Sequence, residues 1–218
     1  MLLIKNGYVI DPKSGFEGKR DLWIEDGKIV RMEEHADAAG GTSGEGGAQG
    51  GAGLEGRVAD AQVIDAAGLI VAPGLIDVHV HFREPGFTYK EDIQTGARAA
   101  AKGGFTTVVM MANTKPSIDN EETLAEVLEK GRQTGIRVLS CVNVTKGMKG
   151  QELAPLAELS AKGAAGFTDD GVPILNEALV REAMELAHKL NKPISFHEED
   201  PKYIENNGIN RGKASEFY

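Results

Sequence analysis

Apolar positions first come in short stretches broken by turn residues, and from Pro73 they gather into compact runs separated by amphipathic segments. In the first part, Leu2–Ile4 and Tyr8–Ile10 flank Asn6-Gly7, Asp21–Ile24 and Lys28–Met32 flank Asp26-Gly27, and Gln62–Asp65 and Leu69–Val71 flank Ala67-Gly68. Turn dipeptides between such stretches predict hairpins, so residues 1–72 read as a small antiparallel β module. Nine of the 17 positions from Gly40 to Gly56 are glycine. With almost nothing large and apolar to bury, the tract near residues 36–57 predicts a flexible excursion from that module. It contains no GxxxxGK[ST] pattern and feeds no helix, which argues against a phosphate loop.

The second part, residues 73–218, changes texture. Leu75–Val80, Thr106–Ala112, Arg137–Val144, Ala165–Thr168 and Pro193–His197 read as strands. Between them, Glu91–Lys102, a segment capped by Asp119 and running to Lys130, Glu152–Ala161 and Asn176–Leu190 read as helices. Strands alternating with helices predict an α/β fold with a parallel sheet and right-handed crossovers. The pattern suits a (β/α)8 barrel, of which five strands and four helices are present. A complete barrel takes roughly 250 residues, so the expectation is the first part of a truncated barrel. The competing fold is an open doubly wound sheet, and the glycine fingerprint that would support one is missing after the first strand.

Composition then narrows the function. The chain is 41% hydrophobic and 26% charged, with a net charge of −9. That balance argues against nucleic acid and anionic membranes as partners, since both reward basic patches. Cys141 is the only cysteine, so no disulfide framework exists and a cytoplasmic protein is expected. Cys141 sits in an apolar run and reads as buried and inert. The first residues lack a signal-peptide layout, and no apolar stretch is long enough to span a bilayer.

The sharpest chemical signal is Asp77-Val-His-Val-His-Phe-Arg-Glu-Pro-Gly86. Residues i and i+2 of a strand face the same way, so His79 and His81 project together from the strand's C-terminal end. Two imidazoles there make a natural start to a Zn²⁺ site, although two histidines beside a turn are also an ordinary occurrence. Asp169 and Asp170 end the fourth strand of this part. One of them suits a cap or turn, while a carboxylate facing His79 and His81 could bridge metals. His197 ends the fifth strand and precedes Glu198, Glu199 and Asp200. His188 lies within an amphipathic helix and His35 beside the glycine tract, and neither is expected to bind metal.

His79-Val-His-Phe-Arg-Glu-Pro-Gly, Met111-Ala-Asn-Thr, Phe167-Thr-Asp-Asp-Gly and Phe196-His-Glu-Glu together resemble the bacterial dihydroorotases of the amidohydrolase superfamily. The resemblance runs from Met1 to Tyr218, with the glycine tract as an insertion and the family's C-terminal half absent. It implies a distorted barrel beside a small β-sandwich, and two zinc ions per complete site. His79 and His81 would hold one metal and His197 the other. Asp170, whose spacing to His197 fits the family pattern, would bridge them, with Asp169 as the alternative. Arg83 and Asn113 would hold the substrate's carboxylate. The implied reaction is the reversible cyclisation of N-carbamoyl-L-aspartate to L-dihydroorotate, a step of pyrimidine biosynthesis. The family's general acid/base aspartate would lie in the absent half, so no catalytic acid or base is assigned here and the chain alone is expected to be inactive. Some relatives bridge their metals with a carbamylated lysine, but from Ala164 to Leu190 the only lysine is Lys189, deep in a helix. A small-molecule substrate and a homo-oligomer are expected, and aspartate transcarbamoylase is a candidate partner. Two alternatives are an allantoinase or hydantoinase and a non-catalytic dihydroorotase-like subunit that scaffolds aspartate transcarbamoylase.

Overall fold

The computed structural model describes residues 1–34, 61–204 and 212–217, and both the expected glycine excursion and His35 lie outside them. The chain forms two compact units, Met1–Pro73 and Gly74–Tyr218.

In the first unit β1 (Leu2–Asp11) pairs antiparallel with β2 (Phe16–Glu25), and β2 with β3 (Lys28–Glu34). Asp26-Gly27 forms the expected hairpin turn, with φ of 50° and 73° at its two central residues. The other two expected hairpins are absent. Asn6-Gly7 lies inside the single strand β1 as a bulge, marked by a register shift after Ile4 and by φ of 65° at Asn6. Asn6 is held there because its N–H donates to Asp21 Oδ1 and its amide to Asp65 Oδ1, each at 2.8 Å. A Cβ at Gly7 would lie 2.5 Å from the Val71 side chain, so glycine is needed for a close approach. Around Ala67-Gly68, β4 (Gln62–Asp65) and β5 (Ile70–Val71) do not pair with each other. Both lie parallel to β1, so the module is mixed rather than antiparallel. Leu3, Val9, Leu22, Trp23 and Ala66 are its buried core.

In the second unit β6 (Leu75–Val80), β7 (Phe105–Met110) and β8 (Arg137–Ser140) form a parallel sheet in chain order. β9 (Phe167–Thr168) and β10 (Ile194–Ser195) are paired in parallel, and a bridge from Val142 to Phe167 joins the two ladders. Among the described residues, five parallel strands therefore follow one another as neighbours. A doubly wound sheet instead grows outward from a central strand in both directions, and no such switch point is present. Four of these strands, with Cys141 just past β8, line a common cavity of about 280 Å³, walled by Val78, Val109, Phe167 and Ser195 among others.

The crossover helices α1 (Ile93–Lys102), α2 (Glu121–Arg132), α3 (Leu156–Ala161) and α4 (Glu177–Lys189) turn their apolar stripes to the core. Ile93, Leu124, Val127, Leu156, Leu159 and Ala183 pack there with Val108, Met110 and Phe167. α1 starts with a capping box, in which Asp92 accepts from Thr95 N at 2.7 Å and Thr95 Oγ1 accepts from Asp92 N. Asn120, not Asp119, caps α2 by accepting the Thr123 N–H, while Asp119 accepts the Gly147 N–H at 2.6 Å. α3 is shorter than the apolar pattern suggests and begins only after Pro155. Among the described residues no helix is long and apolar enough to cross a membrane.

α1 passes very close to Phe82, and a Cβ at Gly96 would fall 2.4 Å from that ring. Alanine normally gains about 1 kcal/mol over glycine inside a helix. Here overpacking against a buried ring costs about 1–3 kcal/mol and should win. Gly96→Ala is therefore expected to lower the urea midpoint of unfolding. A raised midpoint would show that the Phe82 ring yields freely.

Candidate metal centre

The site forms where β6, β7 and β9 end. β6 carries one extra residue against β7, because Asp77 pairs with Val108 and Val80 with Met110. Bulges re-aim side chains, and this one lies at the residues just before and at His79. Asp77 Oδ1 accepts the His79 N–H at 3.0 Å and so holds the bulged segment. The rings of His79 and His81 stand edge to face with centroids 5.2 Å apart.

Asp170 follows β9, and its N–H donates to Thr168 Oγ1 at 3.0 Å. Its Oδ1 lies 3.5 Å from His79 Nε2 and its Oδ2 lies 3.4 Å from His81 Nε2. Good hydrogen bonds are shorter than this. Two ligand atoms each ~2.0–2.1 Å from a tetrahedral ion lie roughly 3.3–3.5 Å apart, so the spacing suits a shared metal better than a closed hydrogen bond. One donor atom from each of His79, His81 and Asp170 comes within 4.8 Å of the other two. Two imidazoles and a carboxylate are a donor set that can hold a divalent transition metal, and the residues fit the group they would carry.

Asn113, just past β7, reaches into this group. Its Oδ1 is 3.1 Å from His81 Nδ1, and its Nδ2 is 3.2 Å from Asp170 Oδ2 and 3.3 Å from the Asp170 carbonyl oxygen.

The neighbouring carboxylates do different work. Asp169 is buried, and it accepts N–H donors from Val144 at 2.8 Å and Thr145 at 3.2 Å and also the Thr145 hydroxyl. It ties the loop after β8 to the end of β9. Burial pushes its carboxyl above the ordinary range, and these hydrogen bonds pull the other way.

Arg83 lies two residues past His81 and is partly buried. The next residue, Glu84, accepts the Ile93 N–H at 3.0 Å, the first of α1, and the Lys130 ammonium at 2.7 Å from α2. Its charge suits the positive end of α1. Glu126 and then Glu84 hold the Lys130 ammonium above its usual value. Reading the sequence misses Glu84 as an anchor. Its two partners lie nine and 46 positions away in the chain, so no local pattern marks it.

His197 is not brought to the group. It lies past the two-residue β10, whose outer edge is unpaired among the described residues, and its Nε2 meets Glu199 Oε2 at 2.9 Å. It lines a separate surface groove with Leu175 and Phe196. His188 is exposed on α4. Cys141 is buried, which pushes its thiol up to about 11 and keeps it protonated near neutrality.

Residues 68–218 match the model of a family described as dihydro-orotase-like. The chain is 49% identical over 216 residues to a dihydroorotase of Clostridium acetobutylicum, covering 99% of this chain and 46% of that protein. It is 51% identical over 201 residues to a dihydroorotase of Streptococcus thermophilus, covering 92% of this chain and 43% of that one. It thus spans about half the length of the curated relatives it matches. Among solved structures, an L-hydantoinase from Arthrobacter aurescens superposes with a TM-score of 0.67 at 18% identity, over 92% of this chain and 41% of that one.

The adjacent aspartates should separate in experiment. Asp169→Ala orphans buried backbone donors and should cost about 1–3 kcal/mol per orphaned group in urea unfolding. Asp170→Asn should leave the unfolding midpoint nearly unchanged and remove zinc binding measured by calorimetry. Equal effects on stability would show that the carboxylates share one role.

Proposed function

This chain belongs to the dihydro-orotase-like family, and we propose that it is the N-terminal part of a zinc-dependent dihydroorotase. The reaction is the reversible cyclisation of N-carbamoyl-L-aspartate to L-dihydroorotate in pyrimidine biosynthesis. The observation that carries the reading is Asp170 facing the Nε2 atoms of both His79 and His81, directly upstream of the Phe82-Arg-Glu-Pro-Gly turn. We also infer that residues 1–72 are part of a small β-sandwich and that 73–218 begin a (β/α)8 barrel completed by further strands. The chain order of β6–β10 and the cavity lined from four of them support the barrel.

His79, His81 and Asp170 would hold one metal, and His197 would contribute to a second. A bound zinc supplies Lewis acidity, lowering the pKa of a water and polarising the ring amide carbonyl. Arg83 offers a planar fork that holds the substrate's carboxylate through two bonds and fixes the ring's orientation. Glu84 pins the turn that carries Arg83 to two helices, so the fork is presented from a rigid base. Asn113 would add a neutral donor for the substrate's carboxylate, its amide nitrogen turning to it from the Asp170 oxygens. A small acidic substrate, a cytoplasmic setting and an assembly of copies complete the proposal. Exposed Leu75, Ile76 and Val78 along the edge strand β6 are apolar surface that the further strands of the barrel would cover.

The chain alone is expected to turn over neither dihydroorotate nor carbamoyl-aspartate, and to bind zinc weakly. Fusing it to the C-terminal half of the Clostridium acetobutylicum relative should restore dihydroorotate hydrolysis. Turnover of neutral hydantoins in place of dihydroorotate would overturn the substrate assignment. In that fusion Arg83→Lys keeps the charge and loses the fork. KM for dihydroorotate should rise about tenfold or more with kcat much less affected, as steady-state kinetics would show.

A further inference from the structure

The Asn113 carboxamide stands between two of the grouped residues, and its chemistry decides where one proton sits. The Asp170 backbone carbonyl can only accept, so the Asn113 atom 3.3 Å from it is the amide nitrogen. The same nitrogen lies 3.2 Å from Asp170 Oδ2. The amide oxygen is therefore the atom 3.1 Å from His81 Nδ1. That oxygen has no proton to give, so a hydrogen bond there needs the proton on Nδ1. With Nδ1 bare, two lone pairs would face each other at 3.1 Å, whereas the competing acceptor at Nε2, Asp170 Oδ2, stands farther off at 3.4 Å. The remaining basic nitrogen of His81 is Nε2, the atom 3.4 Å from Asp170 Oδ2.

We propose that Asn113 is a positioning residue that locks His81 in its Nδ1–H tautomer and so presents Nε2 as the donor to a metal. The second half rests on the metal reading above, whereas the tautomer is a property of the metal-free chain. The role occupies the amide oxygen, while the amide nitrogen serves two oxygens of Asp170, and a substrate contact would draw only on that nitrogen. Partners that fix the tautomer of a ligating histidine raise its basicity and limit its rotation, which makes their loss visible in metal affinity.

The test uses this 218-residue chain without metal, with ring nitrogens resolved by long-range ¹H–¹⁵N spectroscopy. The tautomer is read from the ring ¹⁵N shifts at alkaline pH, on the plateau where added base no longer changes them. The His81 signals are assigned by their loss in His81→Gln. Wild-type His81 should be mainly Nδ1–H. Asn113→Ala should shift it toward Nε2–H, and Asn113→Asp should retain Nδ1–H because a carboxylate oxygen accepts the same bond. In parallel zinc titrations Asn113→Ala should weaken binding about tenfold to a hundredfold. An Nε2–H tautomer in the wild type, or no shift in Asn113→Ala, overturns the proposal, and the wild-type spectrum decides even if a variant fails to fold. Zinc binding that needs His81 but ignores Asn113 overturns the positioning half. Zinc binding unaffected by His81→Gln refutes the metal reading and leaves the tautomer result standing.

Discussion

Parallel pairing in chain order is the constraint on which the second unit depends. Each strand from β6 to β9 has the next as its neighbour, so the C-terminal ends of β6 to β10 come out on one rim. Side chains that end different strands can then meet although 91 positions separate His79 from Asp170. The backbone ladder continues past the regular strands, with Met111 N donating to the Val80 carbonyl, Cys141 N to Met110 and Thr168 N to Val142. These bonds carry order to the rim itself, where the donor atoms lie.

Rigidity at the rim comes from polar anchors, of which Asp169 is buried and Asp77 and Glu84 partly so. Asp169 gathers the loop after β8, Asp77 holds the bulge before His79, and Glu84 ties the turn after His81 to α1 and α2. Each spends a carboxylate on backbone or ammonium groups, and none of them belongs to the donor group itself. The site is therefore built in two layers, an inner group of His79, His81 and Asp170 and an outer one that fixes its geometry.

Much of this was legible in the residues. The alternation of apolar runs and amphipathic stretches located all five strands and four helices of the second unit, because each helix buries a stripe and each strand is short. Boundaries were less legible. Asn120 takes the cap expected of Asp119 because Asp119 is drawn to Gly147, a contact 28 positions away. The first unit misled more. Asn6-Gly7 has the composition of a turn, yet Asp21 and Asp65 hold it as a bulge, and such long-range partners leave no local trace. At the site, the spacing of His79 and His81 and the pair Asp169-Asp170 were visible as motifs. Which aspartate faces inward depends on hydrogen bonds to Val144 and Thr145, which sequence spacing does not express.

The division of labour between Asp169 and Asp170 also sets a length rule. One carboxylate is spent on the scaffold and the next faces the imidazoles, with only the peptide unit between them to turn the direction. Deleting or inserting a single residue between Phe167 and Gly171 would send the wrong acid to each task. Substitution can be tolerated along this stretch wherever the chemistry allows, but its count of residues cannot drift.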